Sequence, residues 1–170
     1  MESSSDLNRA GIALTRAGEP FEAIAVFDKA ISLDKDNPVL HLNKGLSEQK
    51  TGNYEAASRC FEKAIALRSG FSDAWAALGL VHYESGRLET AERCYARALE
   101  GERKSETLNN LGVVYFNQER YEDARRCFEE AVALSPFFYD ALYNLRDAYT
   151  ELNDLQAASE VDRAMRAIAR

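Results

Sequence analysis

Residues 105–138 read SETLNNLGVVYFNQERYEDARRCFEEAVALSPFF. Leu108, Leu111, Gly112 and Tyr115 fall at i, i+3, i+4 and i+7, the spacing of one face of an α-helix. After a polar break, Tyr121, Ala124, Phe128 and Ala131 make a second apolar stripe with helical spacing. The stretch predicts two helices joined by a short turn.

The same pattern runs along the whole chain. The segments GEPFEAIAVFDKAI (18–31), GNYEAASRCFEKAI (52–65), GRLETAERCYARAL (86–99), ERYEDARRCFEEAV (119–132) and NDLQAASEVDRAMR (153–166) align without gaps. Their starts lie 34, 34, 33 and 34 residues apart. A period in this range marks stacked repeats rather than a single closed core. The repeats span 4–37, 38–71, 72–104, 105–138 and 139–170, and 1–170 reads as a single domain. Gly18, Gly52 and Gly86 stand where a left-handed residue ends the first helix. Asn153 is the next best residue there, and Glu119 is a poorer one. Gly11, Gly45, Gly79 and Gly112 allow close helix approach, and Phe27, Phe61, Tyr95 and Phe128 fill the space toward the neighbouring repeat.

Trp75-x2-Leu78-Gly79-x2-His82, then Ala91-x3-Tyr95, then Ala98, resembles the tetratricopeptide repeat pattern. The fourth repeat is closer still, with Leu108, Leu111-Gly112, Tyr115, Ala124, Phe128, Ala131 and Pro136. The resemblance covers residues 4–170. It implies an all-α solenoid of helix-turn-helix repeats, wound as a right-handed superhelix, whose first helices line a concave face. It also implies a scaffold or adaptor that binds a protein or peptide partner there.

Departures from the pattern are informative. Pro20 stands at the start of a second helix, where proline is tolerated. In the second repeat His41, Lys44 and Glu48 hold the core slots, which predicts a more polar first helix, with the Lys44 ammonium free and Glu48 one turn away. In the fifth, Arg146 and Asp162 replace the small residue and the aromatic, as a water-facing terminal repeat over 155–170 would require.

Chemistry-bearing motifs are missing from the sequence. Cys60, Cys94 and Cys127 share one repeat slot, filled by Val26 and Val161 in the outer repeats. Helix packing separates such residues by about 8–10 Å or more. A disulfide needs Cα atoms within about 7 Å, so these read as small core residues. His41 and His82 have no partner at metal-ligand spacing. No G-x-S-x-G, H-E-x-x-H or phosphate-binding Gly-Lys-Ser/Thr loop occurs. The sequence points to no catalytic residue, cofactor or metal, and away from an enzyme.

The net charge of −7 repels phosphate, so nucleic acid and anionic membranes are excluded as expected partners and basic or apolar peptides are favoured. The first residues lack a basic start followed by an apolar run, and no run approaches about 20 apolar residues. The expectation is a soluble, cytoplasmic chain.

The resemblance directs attention to first-helix residues that turn away from the core. One slot reads Arg9, Asn43, Ala77, Asn110 and Asn144. Amides there could pair with the backbone of an extended peptide, or could be a plain polar surface choice. A neighbouring slot reads Asn8, Leu42, Ala76, Asn109 and Tyr143, and another Ile12, Leu46, Leu80, Val113 and Asp147, with Tyr83 and Phe116 one turn further on. Leu46, Leu80 and Val113 either line an open groove or are buried between adjacent first helices. The groove is expected to be apolar with Asn handles, rimmed by Asp73, Glu84, Glu106 and Asp140. Leu42→Asp is expected to weaken partner binding without much loss of stability.

The basic clamp with which some relatives hold a terminal carboxylate needs Lys and Asn, then Asn, then Lys and Arg. Reading from the first repeat gives Asn8 and Ile12, then Asn43, then Asp73 and Ala77. Only the middle Asn matches, so a clamped carboxylate is not expected. Self-association of the array into a homo-oligomer is the alternative function.

Overall fold

The computed structural model describes residues 2–168. Met1, Ala169 and Arg170, the ends of the span assigned from the repeats, lie outside them. Among the described residues there are ten α-helices and no strand. They are α1 (Ser4–Ala17), α2 (Pro20–Leu33), α3 (Pro38–Lys50), α4 (Tyr54–Leu67), α5 (Ser72–Glu84), α6 (Leu88–Gly101), α7 (Ser105–Asn117), α8 (Tyr121–Leu134), α9 (Tyr139–Glu151) and α10 (Leu155–Ile168). The odd-numbered helices begin at Ser4, Pro38, Ser72, Ser105 and Tyr139, the first residue of each repeat in the sequence.

Local chemistry sets these boundaries. Ser3 Oγ accepts from the Asp6 backbone N–H, and the Asp6 carboxylate accepts from the Ser3 N–H, which satisfies two donors at the start of α1. Asn37 and Asn53 cap α3 and α4 in the same sense, accepting from Val39 and Ala56. The turns after α1 and α3 carry Gly18 at φ 85° and Gly52 at φ 82°. The corresponding turn after α7 carries Glu119 at φ 60°, a region that costs a residue with a Cβ about 1–2 kcal/mol.

The chain divides into two compact units, one ending at Ser85 and one beginning at Gly86, and each is described by itself. In the first unit α1 packs on α2, α2 on α3, α3 on α4 and α4 on α5, while α1 also touches α3, and α3 touches α5. Phe27 and Phe61 are fully buried. A Cβ on Gly11 would stand 2.6 Å from Phe27, and one on Gly45 2.5 Å from Phe61, so only glycine lets the paired helices close on these rings. Lys44 is half-buried, and its Nζ lies 2.6 Å from Asp28 of α2 rather than ending free beside Glu48. Burial opposes the Lys44 charge, but the bond to Asp28 outweighs it and raises its pKa. His41 and Trp75 share a repeat slot and a habit: each ring nitrogen bonds the carbonyl six residues upstream, Lys35 at 2.9 Å and Ser69 at 2.8 Å.

In the second unit, α6 to α10 pack in chain order, and α7 also touches α9. Ala124, Phe128, Leu145 and Ala148 form its core, with Val113, Tyr149 and Val161 against them. The terminal helix α10 buries Ala158 and Met165 and leaves Leu155, Arg163 and Arg166 exposed, the one-sided helix expected of residues 155–170 as far as Ile168.

Candidate functional site

Each unit contains a cleft between consecutive first helices, and the same repeat slots build both. In the first unit Ile12, Thr15 and Arg16 of α1 face Asn43, Leu46, Gln49 and Lys50 of α3, with Phe27 as the floor and Glu84 at one end. The cleft encloses about 620 Å³. In the second unit Val113, Phe116 and Asn117 of α7 stand with Asn144 and Asp147 of α9 over Phe128, around about 160 Å³. Phe27 and Phe128 are core rings at the same slot, so both floors are rigid and apolar.

One hydrogen-bonded asparagine pair ties the facing helices at each cleft. Asn43 Nδ2 donates to Asn8 Oδ1 at 2.9 Å, and Asn144 Nδ2 donates to Asn109 Oδ1 at 2.9 Å. Both partners lie 35 residues apart, one repeat plus one residue. Each pair uses one donor of Asn43 or Asn144 and leaves its carbonyl oxygen as an acceptor. The wall of the first cleft is further fixed by Thr15 and Ser47, whose hydroxyls lie 2.8 Å apart. The Gly11 carbonyl lies 2.8 Å from the Thr15 hydroxyl and the Asn43 backbone carbonyl 3.1 Å from that of Ser47, so one hydroxyl donates to the other while the acceptor donates to the backbone carbonyl beside it.

Leu46 lines the first cleft and is 38% exposed, and Ile12 opposite it is half-buried. Leu42 differs from the expectation: it is 7% exposed and belongs to the buried core, whereas Tyr143 in the same slot is 47% exposed. Leu80 and Tyr83 on α5 are half-buried and outside the lining of this cleft. In the second unit Val113 and Phe116 are half-buried against the core, and Phe116 meets Tyr121 edge-on with centroids 5.1 Å apart. Asn110 is half-buried on α7 and does not line the second cleft. Tyr143 is 47% exposed, with the Arg146 guanidinium 4.1 Å from its ring centre. Of the acids expected at the rim, Glu84 is at the first cleft, where its carboxylate accepts from Gln49 at 3.1 Å. Sequence reading did not single out Arg16, Lys50, Gln49 or Asn117, although Gln49 shares the slot of Tyr83 and Phe116, and the other three share that of Glu84.

Charge around the second cleft is largely paired. Arg146 bonds Asp147 at 2.7 Å, and this raises the guanidinium pKa further above its already high value. Tyr149 is pushed up to about 12, first by burial and then by its 2.6 Å bond to Glu129. Arg125 bridges Glu122 and Glu129. Burial pushes the Cys127 thiol up to about 11 and raises that of Cys60, so neither is a ready thiolate. Among the described residues no cluster of three His, Cys, Asp or Glu side chains could hold a metal ion, and no helix is long and apolar enough to cross a membrane.

Two family models described as tetratricopeptide repeat match the chain, one over residues 36–104 and 71–136, the other over 109–170. No curated protein sequence matches it significantly. Solved structures do. A MamA fragment from Desulfovibrio magneticus RS-1 is 19% identical, with a TM-score of 0.86 over 100% of this chain and 97% of that one. PilF of Pseudomonas aeruginosa is 20% identical, with a TM-score of 0.89 over 96% and 75%. YrrB, described as a TPR protein with an unusual peptide-binding site, is 23% identical, with a TM-score of 0.75 over 96% and 84%. At these identities the likeness is one of fold, the all-α solenoid.

Proposed function

The chain belongs to the tetratricopeptide repeat family, and from that premise we propose that the clefts between its first helices bind a peptide segment of another protein. Membership supports a protein-interaction scaffold in general; the cleft is the finer assignment. The observation that carries it is the recurrence of one design. The same slots supply a buried aromatic floor, an amide with a spare acceptor and partly exposed apolar walls in both units. An apolar floor with a few placed polar groups suits side-chain capture, and the larger cleft falls within the usual range of about 300–1,000 Å³ for binding pockets. The peptide-binding site of YrrB, a structural neighbour, is consistent with this reading.

Selection of binders from a displayed random-peptide library on the purified protein tests the proposal. Peptides selected on the wild type are expected to lose at least about tenfold in affinity for Leu46→Asp, since a charge would enter the apolar wall. Equal binding by the variant would place the site elsewhere.

A second reading, self-association, is favoured by one patch. Leu134, Phe137 and Tyr139, around the turn between α8 and α9, are 51%, 78% and 49% exposed. Light scattering across a concentration series decides: self-association requires a mass that rises with concentration and falls back in Phe137→Glu, whereas a constant monomer mass removes it.

A further inference from the structure

The cleft of the first unit carries charge opposite to that of the chain. The chain has a net charge of −7, yet the charged residues lining this cleft are Arg16, Lys50 and Glu84, two cations and one anion. Arg16 is exposed in the last turn of α1. Lys50 ends α3, and its Nζ donates to the Thr15 carbonyl at 3.1 Å. That partner is neutral, so the ammonium keeps its charge uncompensated and has two donors to spare. Glu84 is held by the Gln49 amide at the cleft's end. Between these groups stand Ile12 and Leu46 with Phe27 beneath. The second cleft has no such pair: Asn117 occupies the slot of Arg16, and Asp147 faces it with its charge taken up by Arg146.

We infer that the first-unit cleft takes an acidic peptide segment built around one bulky apolar side chain. The apolar side chain enters between Ile12 and Leu46 onto Phe27. A neighbouring Asp or Glu lies across Arg16 and Lys50, and the Asn43 carbonyl oxygen accepts a backbone N–H of the segment. This rests on the peptide-binding reading above and reverses the expectation, drawn from net charge, of a basic partner. The reversal is physical. At 0.15 M salt the screening length is about 8 Å, so an occupant responds to the charges lining its cleft far more than to a distant surplus. Charge at a cleft rim chiefly selects among partners, while the apolar contact supplies affinity.

Two fluorescein-labelled hexapeptides test this by anisotropy at 0.15 M NaCl. Both have a Leu-Phe centre, one flanked by aspartates and the other by lysines. The wild type is expected to bind the acidic probe about tenfold more tightly. Arg16→Glu with Lys50→Glu is expected to abolish or invert that preference. Because Lys50 also braces the end of α1, Arg16→Glu alone, at an exposed position, is the control for folding and should lower the ratio by about threefold. Preference for the basic probe, or a preference unchanged by the charge reversals, overturns the inference while leaving peptide binding intact. Binding of neither probe also overturns it. If library-selected peptides likewise fail to bind at Leu46, the peptide-binding reading falls as well.

Discussion

Arg146 and Asp162 face one another in the fifth repeat, 3.5 Å apart, in the two slots that hold glycine and phenylalanine in the first, second and fourth repeats. Elsewhere the pair is steric: a Cβ at Gly11, Gly45 or Gly112 would strike the ring of Phe27, Phe61 or Phe128. In the last repeat the contact is ionic and half-exposed, as suits a helix with one wet face.

The two slots therefore act as a unit. Asp162→Phe alone is expected to give no gain in melting temperature, because the ring would meet the Arg146 side chain. Arg146→Gly alone is expected to cost about 1 kcal/mol through helix propensity. The double variant is expected to be more stable than the sum of the singles by about 1 kcal/mol or more, read from a thermal-denaturation cycle. Additive singles would show that the slots are independent.

Glu119 pays for a left-handed backbone that Gly18 and Gly52 adopt freely. Glu119→Gly is expected to raise stability by about 1 kcal/mol in urea denaturation, with an unchanged slope. A decrease would mean that the turn gains more from the glutamate side chain than its backbone loses.

Leu42 and Leu46 stand one turn apart on α3 and should separate stability from binding. Leu42→Asp is expected to destabilise by at least about 2–5 kcal/mol, since it removes a buried side chain and buries a charge. Leu46→Asp is expected to stay within about 0.5–1 kcal/mol of the wild type. Equal losses in denaturant midpoint would mean that the two residues share one environment.

Asp123 accepts from Arg120 at 2.9 Å and also pairs with Arg126, and first the Arg120 bond and then that to Arg126 hold its carboxyl below the usual range. A carboxyl whose folded pKa is lowered stabilises the fold above its unfolded value, near 3.9, and loses that contribution as pH falls through the folded value. Wild type and Asp123→Asn are therefore expected to differ most in stability above about pH 4 and to converge below it. A difference that grows in acid would reverse the sign and contradict the assignment.

The helices were legible because five copies in register report the same faces five times. The first-helix starts, the glycine contacts and the one-sided last helix all follow from slots that recur. Leu42 was not legible, because periodicity tells which way a side chain points but not how deeply the fold covers it. The asparagine pairs lay between the two. Asn8 with Asn43, and Asn109 with Asn144, repeat a spacing of one period plus one residue, a signal visible only when two slots are read diagonally. Arg16 and Lys50 escaped notice because charge at a helix end reads as ordinary dipole compensation.

The central claim is that a peptide sits between first helices. Methyl-labelled protein titrated with a library-selected peptide tests it most directly by NMR. Ile12 and Leu46 methyl signals are expected to shift most and to saturate together with the measured affinity. Shifts concentrated at Leu33, Leu134 or Leu155, with Ile12 and Leu46 unmoved, would contradict it.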